Sequence, residues 1–582
     1  MCGIIGYIGR REAAPLIIEG LKKLEYRGYD SFGVATRGTT SIDLAKHQGR
    51  ISEKASAAAR LKGTIGIGHT RWATHGIPND INAHPHMDCS GKIAVVHNGI
   101  IENYAELKRQ LISRGHTFRS DTDTEVIVHL IEEKYSDQPD LLHAVQEAIP
   151  ELEGSYAILV IADNEDRIIA ARKASPLVIG IGDGEFFAAS DMTPIIEFTE
   201  RAVFLEDGDI VSLSRKTIEI FNQNLPVSRP IELIDWSLDD VRKGGFAHYM
   251  LKEIFEQPQA FYNTIRSVNP DTLPDTLIHA KSITLVACGS SYHTGLIFKY
   301  LLESACGIPA RLEYASEFKY FPPPVHGMVI AITQSGETAD TLAALKHAKA
   351  SGCSTLAITN VLGSSVTRIA DTTLFMRAGP EISVAATKSF VAQMAILMQI
   401  VNGISETKYD DILQQAHKAI EEVLLMDLSE AVHACRDAQS IFYVGRGPFY
   451  PVSLEGALKM KEISYIHAEG YAAGELKHGP FALLSPKTPV IALCMTGSTY
   501  GVMTSNIKEM KARGAPVIAI GSEGDRELPD IVDIFIALPG TAQFIQILTS
   551  LVILQLLAYH TAVALGTDVD KPRNLAKSVT VE

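Results

Sequence analysis

Three strand-like segments occur twice in the same order, and this duplication constrains the fold more tightly than any other feature of the sequence. Ser282-Ile-Thr-Leu-Val-Ala-Cys-Gly289 is matched by Ser440-Ile-Phe-Tyr-Val-Gly-Arg-Gly447, and Met328-Val-Ile-Ala-Ile-Thr-Gln-Ser-Gly336 by Pro489-Val-Ile-Ala-Leu-Cys-Met-Thr-Gly497. A third pair is Thr355-Leu-Ala-Ile-Thr359 and Pro516-Val-Ile-Ala-Ile520. The offset of about 160 residues is too long for a solenoid repeat and suits a duplicated domain. Each segment is a continuous apolar run closed by a turn and followed by a helical pattern. Such runs are strands buried on both faces, as in a parallel sheet covered by helices. The pattern predicts two α/β domains with parallel sheets, at 269–408 and 433–570, joined by a connecting helix over 409–432.

The rest of the 582 residues reads differently, and a chain of this length exceeds a single core. Residues 1–225 alternate short strands, at 64–68, 93–97 and 156–162, with helices at 103–114 and 124–135, which predicts a mixed α+β domain. Asn224-Leu-Pro-Val-Ser-Arg-Pro230 carries two prolines and predicts a linker with a connecting helix over 226–268. Residues 571–582 form an extended tail. The apolar stretch 544–565 is interrupted by Gln546, Gln555 and His560, which predicts a buried helix rather than a membrane span.

A net charge of −15 with no basic run argues against a nucleic-acid partner and leaves small molecules or other subunits. Seven scattered cysteines without a C-x-x-C pair give neither a disulfide framework nor a zinc ribbon. No basic leader precedes a long apolar region, since polar residues arrive at Arg10, Arg11 and Glu12. A cytoplasmic protein without a membrane partner is expected.

Removal of Met1 would expose Cys2, putting a thiol and an α-amine on one residue. The thiol titrates at about 8.5 and the amine at about 7.7–8.0, so the amine can accept the thiol proton near neutral pH. Thr70-Arg-Trp-Ala-Thr-His-Gly76 follows an apolar strand and offers Arg71 for a bidentate grip on a carboxylate. Val95-Val-His-Asn-Gly99 ends a strand with a side-chain amide and a backbone N–H suited to an oxyanion hole. Ser120-Asp-Thr-Asp-Thr-Glu125 supplies carboxylates for an ammonium group. Read singly, each has a plainer alternative. Cys2 can be a small buried residue, Asn98-Gly99 a hairpin turn, Asp121 or Asp123 a helix cap, and Arg71 a surface ion pair.

Together with Cys2-Gly-Ile-Ile-Gly6 and Tyr26-Arg-Gly-Tyr-Asp-Ser31, these segments resemble the N-terminal-nucleophile glutamine amidotransferases over the whole first domain. The resemblance implies an αββα-layered glutaminase. In it Cys2 attacks the glutamine side-chain amide, Asn98 and Gly99 hold the oxyanion, and Arg71 and Asp123 bind the α-carboxylate and α-ammonium. Trp72, Thr74 and His75 belong to the same glutamine-binding loop, with the tryptophan gating an ammonia passage. His69, His75, His84, His86 and His97 cluster here too. Their His-Pro-His step and the lack of ligand-spaced cysteines favour ordinary loop and core histidines, so no metal or other cofactor is expected.

In the duplicated region, ligands are expected at the carboxyl ends of the strands. Cys288-Gly-Ser-Ser291 and Thr333-Gln-Ser-Gly-Glu-Thr338 offer hydroxyls and helix N-termini to a phosphate, or simply cap their helices. Gly445-Arg-Gly-Pro448 and Met495-Thr-Gly-Ser498 make a poorer cradle. The second repeat instead carries Glu455, Lys459 and Glu462 at i, i+4 and i+7 on one helix face, which is either chemistry or a solvated ion-paired surface. Gly474-Glu-Leu-Lys-His-Gly-Pro480 follows, and the tail brings a lysine capable of forming a Schiff base with a ketone.

These segments resemble the sugar isomerase (SIS) repeats of the glutamine–fructose-6-phosphate aminotransferase family, over nearly the entire chain. The resemblance implies conversion of fructose 6-phosphate and glutamine to glucosamine 6-phosphate and glutamate, the first step of hexosamine synthesis, with ammonia passed between the two sites. It implies that Ser290, Ser291, Gln334, Ser335 and Thr338 hold the phosphate with Thr333 beside them. Glu462 moves the proton between C1 and C2, Lys577 engages the keto carbon, and Lys459 and Glu455 support the helix face. His478 assists ring opening and comes from a neighbouring subunit of a homodimer, and residues 571–582 close the sugar site. Phe32, Ser383 and Ala386 depart from the family pattern. Two other readings are an amidotransferase or deglycase acting on another phosphosugar, and a sugar-phosphate sensor. A sensor has no need of Cys2, Glu462 and Lys577 together, and it would normally carry a basic DNA-binding segment.

Overall fold

The computed structural model describes residues 2–39, 41–72, 75–234, 243–540 and 542–580. Backbone contacts divide the chain into two units, Met1–Arg242 with Ala576–Glu582, and Lys243–Leu575.

The first unit is built on two sheets, of eight and seven strands. Strand Gly3–Ile8 lies inside the eight-stranded sheet, antiparallel to Ile65–Arg71 on one side and Phe186–Ala189 on the other. Strand Ile93–Ile101 pairs antiparallel with Gly154–Ala162 in the seven-stranded sheet. The alternation of side chains along Ile93–Ile101 explains the layering. Ala94 and Val96 join Ile4, Ile8 and Ile67 in a core between the sheets, while Ile93 and Val95 turn outward to Leu107, Val126 and Leu130 on the covering helices. Helix Ala13–Leu24 buries Ile17 and Leu21 on the outer face of the other sheet, so the order of layers is αββα. The predicted linker begins too early. Leu225–Val227 pairs with Ile218–Asn222, and Glu232–Leu233 pairs with Arg201–Phe204, so the proline-bearing segment still belongs to these sheets. Pro226 is tolerated because Leu225–Val227 lies at a sheet edge, and Pro230 falls between the two strands.

The second unit holds two five-stranded parallel sheets, each with its strands in the order 2-1-3-4-5. In the first, Ile283–Ala287 lies between Ala310–Tyr314 and Met328–Ile332. In the second, Ser440–Gly445 lies between His467–Ala472 and Val490–Cys494. Leu285, Ile330, Tyr443, Ile491 and Ile518 share one continuous core, whereas Val286 and Ala331, or Val444 and Ala492, face separate outer helical layers. Burial on both faces is why these strands read as unbroken apolar runs. The long apolar segment is helix Gln543–Ala564, buried along nearly its whole length and packed against helix Phe449–Ser464. It is long and apolar enough to cross a membrane by length and composition, but here it is a core element, with Gln546 donating to Ser522 Oγ at 3.1 Å.

Candidate active sites

In the first unit the register of Gly3 opposite Thr70 carries Cys2 to the end of strand Ile65–Arg71. The Trp72 N–H donates to Cys2 Sγ at 3.2 Å, and the thiol in turn points at the Trp72 carbonyl at 3.5 Å. Burial pushes the Cys2 thiol pKa up, while the Trp72 N–H and the Arg71 guanidinium pull it down. Deprotonation of the Cys2 thiol therefore depends on these nearby donors.

Asn98 and Gly99 lie within strand Ile93–Ile101, not in a hairpin turn. Asn98 Nδ2 donates to the Cys2 carbonyl oxygen at 2.9 Å, and its Oδ1 meets His69 Nε2 at 3.1 Å. Burial holds the His69 pKa down to about 3, so the ring is neutral, and its Nε2 also meets the His97 carbonyl at 2.9 Å. Carbonyl and amide oxygens only accept, so His69 donates, and this fixes which way the Asn98 amide faces. The amide nitrogen is turned toward Cys2. Gly99 has φ +131°, and a Cβ there would stand 2.0 Å from the Ser155 carbonyl oxygen, so only glycine presents its N–H in this conformation.

Arg71 is almost wholly buried and spends Nη2 on the carbonyls of His75 and Gly76. Its Nη1 is buried without a hydrogen-bond partner among the described residues. A buried, unpartnered guanidinium N–H is costly unless an acceptor arrives, as a substrate carboxylate would. Asp123 accepts the Ile101 N–H at 2.9 Å and does not cap helix Glu125–Asp137. Trp72 meets Tyr29 edge-on at 5.6 Å, and the His75 ring lies 5.3 Å from Tyr104. Thr74 lies outside the described residues. Phe32 is buried beside His47, which accommodates this departure. For Asn98→Ala, the turnover number for glutamine hydrolysis is expected to fall about 100- to 1,000-fold with little change in KM, measured as glutamate release.

In the second unit, the first turn of helix Gly289–Cys306 and the loop 333–338 follow adjacent strands at the point where the strand order reverses, the usual ligand crevice of such sheets. The Gly336 N–H donates to Thr333 Oγ1 at 3.2 Å, the Glu337 N–H donates to Ser335 Oγ at 3.2 Å, and Thr338 Oγ1 lies 3.5 Å from Thr333 Oγ1. The Gln334 carbonyl accepts the Asn360 N–H at 3.0 Å, which anchors the loop. Gly336 has φ +68°, and a Cβ there would collide with Ser364 Oγ. Ser291 is held by Gln393 Nε2 at 2.9 Å. The equivalent crevice of the second repeat is occupied. Arg446 spans it to Asn506 Oδ1 at 2.9 Å, and a Cβ on Gly474 would touch the guanidinium.

Glu455 and Lys459 are fully buried, so the helix face they share with Glu462 is not a solvated one. Lys459 Nζ lies 2.6 Å from Glu462 and 3.4 Å from Glu455. Burial opposes the charge on Lys459, but Glu462 and Glu455 hold its pKa above the ordinary value. Burial likewise works against an ionised Glu455, and Lys459 and His293 keep its pKa below the usual range. Ser290 Oγ donates to Glu455 Oε1 at 2.8 Å, and His293 Nδ1 meets Oε2 at 2.7 Å, so the helix of the first repeat's loop is tied to the carboxylate helix of the second. Ser290 is thus bonded to Glu455. His293 was not anticipated, because its partner lies 162 residues away. The Ser383 N–H donates to Glu253 Oε1 at 3.0 Å. His478 is exposed at the end of a 3-10 turn, and Lys577 lies in the tail that groups with the first unit.

The SIS domain model matches residues 276–403 and 435–565, and the glutamine amidotransferase domain model matches residues 69–197. A glutamine–fructose-6-phosphate aminotransferase (isomerizing) of Pyrococcus horikoshii is 49% identical over 601 residues, and one of Bacteroides thetaiotaomicron is 47% identical over 614. Both alignments cover 100% of each chain. Among solved structures, the C-terminal domain of glucosamine-fructose-6-phosphate aminotransferase from Francisella tularensis has a TM-score of 0.52 and 35% identity, covering 57% of this chain and 100% of that one. With full-length identity at this level and both domain types in place, the chain belongs to the glutamine–fructose-6-phosphate aminotransferase (isomerizing) family.

Proposed function

We propose that the chain carries out its family's reaction, fructose 6-phosphate plus glutamine to glucosamine 6-phosphate plus glutamate, with its residues in the following roles. Once Met1 is removed, the Cys2 amine takes the thiol proton and Sγ attacks the glutamine side-chain carbon. Asn98 Nδ2 and the Gly99 N–H hold the oxyanion, while Arg71 and Asp123 grip the α-carboxylate and α-ammonium. Collapse of the tetrahedral intermediate expels ammonia and leaves a thioester, which water hydrolyses to glutamate.

Ammonia is mostly protonated in neutral water and then cannot act as a nucleophile, so the released molecule must travel to the sugar through a dry passage, with Trp72 as its gate. In the sugar site, Ser291, Gln334, Ser335 and Thr338 bind the phosphate, and Lys577 forms a Schiff base with the open-chain ketone. Ammonia displaces the lysine, and Glu462 then carries a proton from C1 to C2. A homodimer in the cytoplasm, with His478 of each copy assisting ring opening in the other, completes the proposal.

One observation carries it: buried Glu455, which shares Lys459 with Glu462, is bonded to Ser290 and His293 of helix Gly289–Cys306. This supports a carboxylate for proton transfer held beside a phosphate-binding helix N-terminus, which a sensor does not need. The test incubates the protein with glutamine and fructose 6-phosphate and measures glutamate and hexosamine phosphate. Equal amounts of both are expected. Glutamate without amino sugar would show that the acceptor is misassigned.

A further inference from the structure

The first unit contains a second constellation of reactive side chains that the glutamine chemistry does not use. Cys89, His116, His129 and Glu132 turn one donor atom each toward a common point, all within 4.8 Å of one another. Cys89 Sγ lies 3.6 Å from His116 Nδ1 and 3.7 Å from His129 Nδ1. Glu132 Oε2 lies 3.0 Å from His116 Nδ1 and 2.9 Å from His129 Nδ1. In a tetrahedral zinc site, with bonds of about 2.3 Å to sulfur and about 2.0–2.1 Å to nitrogen, the sulfur–nitrogen edge is about 3.6 Å. The sulfur edges already match, and the carboxylate edges need to open by a few tenths of an ångström.

The outer contacts point the same way. His116 Nε2 faces Glu133 Oε1 at 3.3 Å, and His129 Nε2 faces Glu125 Oε1 at 3.7 Å. Glu125 is itself held by the N–H groups of Arg119 and Ser120 and by the Ser120 hydroxyl. The Thr117 N–H points at Cys89 Sγ at 3.4 Å, a contact that suits a thiolate. His116 places both ring nitrogens within hydrogen-bond distance of carboxylate oxygens, while His129 Nε2, 3.7 Å from Glu125, has no hydrogen-bond partner among the described residues. With a cation at the centre each Nδ1 offers its lone pair and the single N–H of each ring sits on Nε2 on the carboxylate side, the usual outer arrangement of histidine ligands.

We propose that Cys89, His116, His129 and Glu132 bind a structural zinc ion. One thiolate, two imidazoles and one carboxylate favour zinc over calcium or magnesium, and four protein ligands leave no open position for catalysis. The ligands come from three places: the turn before strand Ile93–Ile101, the connection after helix Tyr104–Ser113, and one face of helix Glu125–Asp137. The ion clamps together the strand that carries Asn98 and the helix that follows Asp123, and Cys89 at an exposed turn provides an entry path.

The test measures metal in the full-length protein, purified from zinc-supplemented cells and dialysed against metal-free buffer. One zinc per chain is expected, retained in Cys2→Ala and lost in Cys89→Ser and His116→Ala. Cobalt exchanged into the wild-type protein is expected to give a thiolate charge-transfer band and the strong visible bands of tetrahedral coordination, and chelation is expected to lower Tm. Wild-type protein without stoichiometric zinc, zinc that survives both ligand substitutions, or a cobalt spectrum without the thiolate band would each overturn the assignment and leave a hydrogen-bonded cluster. Should the variants not fold, the wild-type zinc content and cobalt spectrum decide. The proposal is independent of the reaction assigned to the chain.

Discussion

Cys2→Ala is expected to lower glutamine-dependent formation of hexosamine phosphate by at least about a thousandfold while leaving phosphosugar isomerisation intact. Removing a nucleophile eliminates the covalent route, and the remaining oxyanion donors cannot replace it. The half-buried sulfur contacts the Trp72 backbone, so truncation to a methyl opens little space and the fold survives. Glu455, Lys459 and Glu462, proposed for the sugar site, lie in the other unit, with a hydrophobic core of its own. Glutamate release and the interconversion of fructose and glucose 6-phosphates, measured on the same sample, separate the two activities. Loss of isomerisation along with glutamine use would contradict this division of labour.

The converse is expected of Glu462→Gln. The substitution keeps the shape of the side chain and removes its capacity to take a proton, so amino-sugar formation is expected to fall about 100- to 10,000-fold. Glutaminase turnover is expected to continue, and glutamate then accumulates without hexosamine phosphate. Glu462 suits this role better than its neighbour. Glu455 is fully enclosed and saturated by Ser290, His293 and Lys459, whereas the Glu462 side chain retains 20% exposure and has Lys459 as its ion partner. If Glu462→Gln retains full synthesis and Glu455→Gln does not, the two roles are reversed.

Much of this architecture was legible in the sequence. The apolar runs of the duplicated region are the strands Ile283–Ala287, Met328–Ile332 and Ser354–Thr359 and their counterparts, because a strand buried on both faces leaves a purely local signature. The helices after Asn103 and Thr124 also appear where their 3.6-residue periodicity places them. The edge strands Leu225–Val227 and Glu232–Leu233 were hidden, since edge pairing needs neither a buried face nor a proline-free sequence.

The sequence by itself determined the two domain types, the duplication and the residue kinds available for chemistry, because each is carried by short contiguous motifs. Tertiary structure alone decided what those residues are able to do. It set Asn98 and Gly99 inside a strand with His69 orienting the amide, and it filled the second repeat's crevice with Arg446. It also buried Glu455 against Ser290 and drew Cys89 to His116, His129 and Glu132. These contacts join residues 27 to 165 positions apart. Periodicity reports only which face of an element is apolar, whereas which polar groups meet follows from how whole sheets and helices pack.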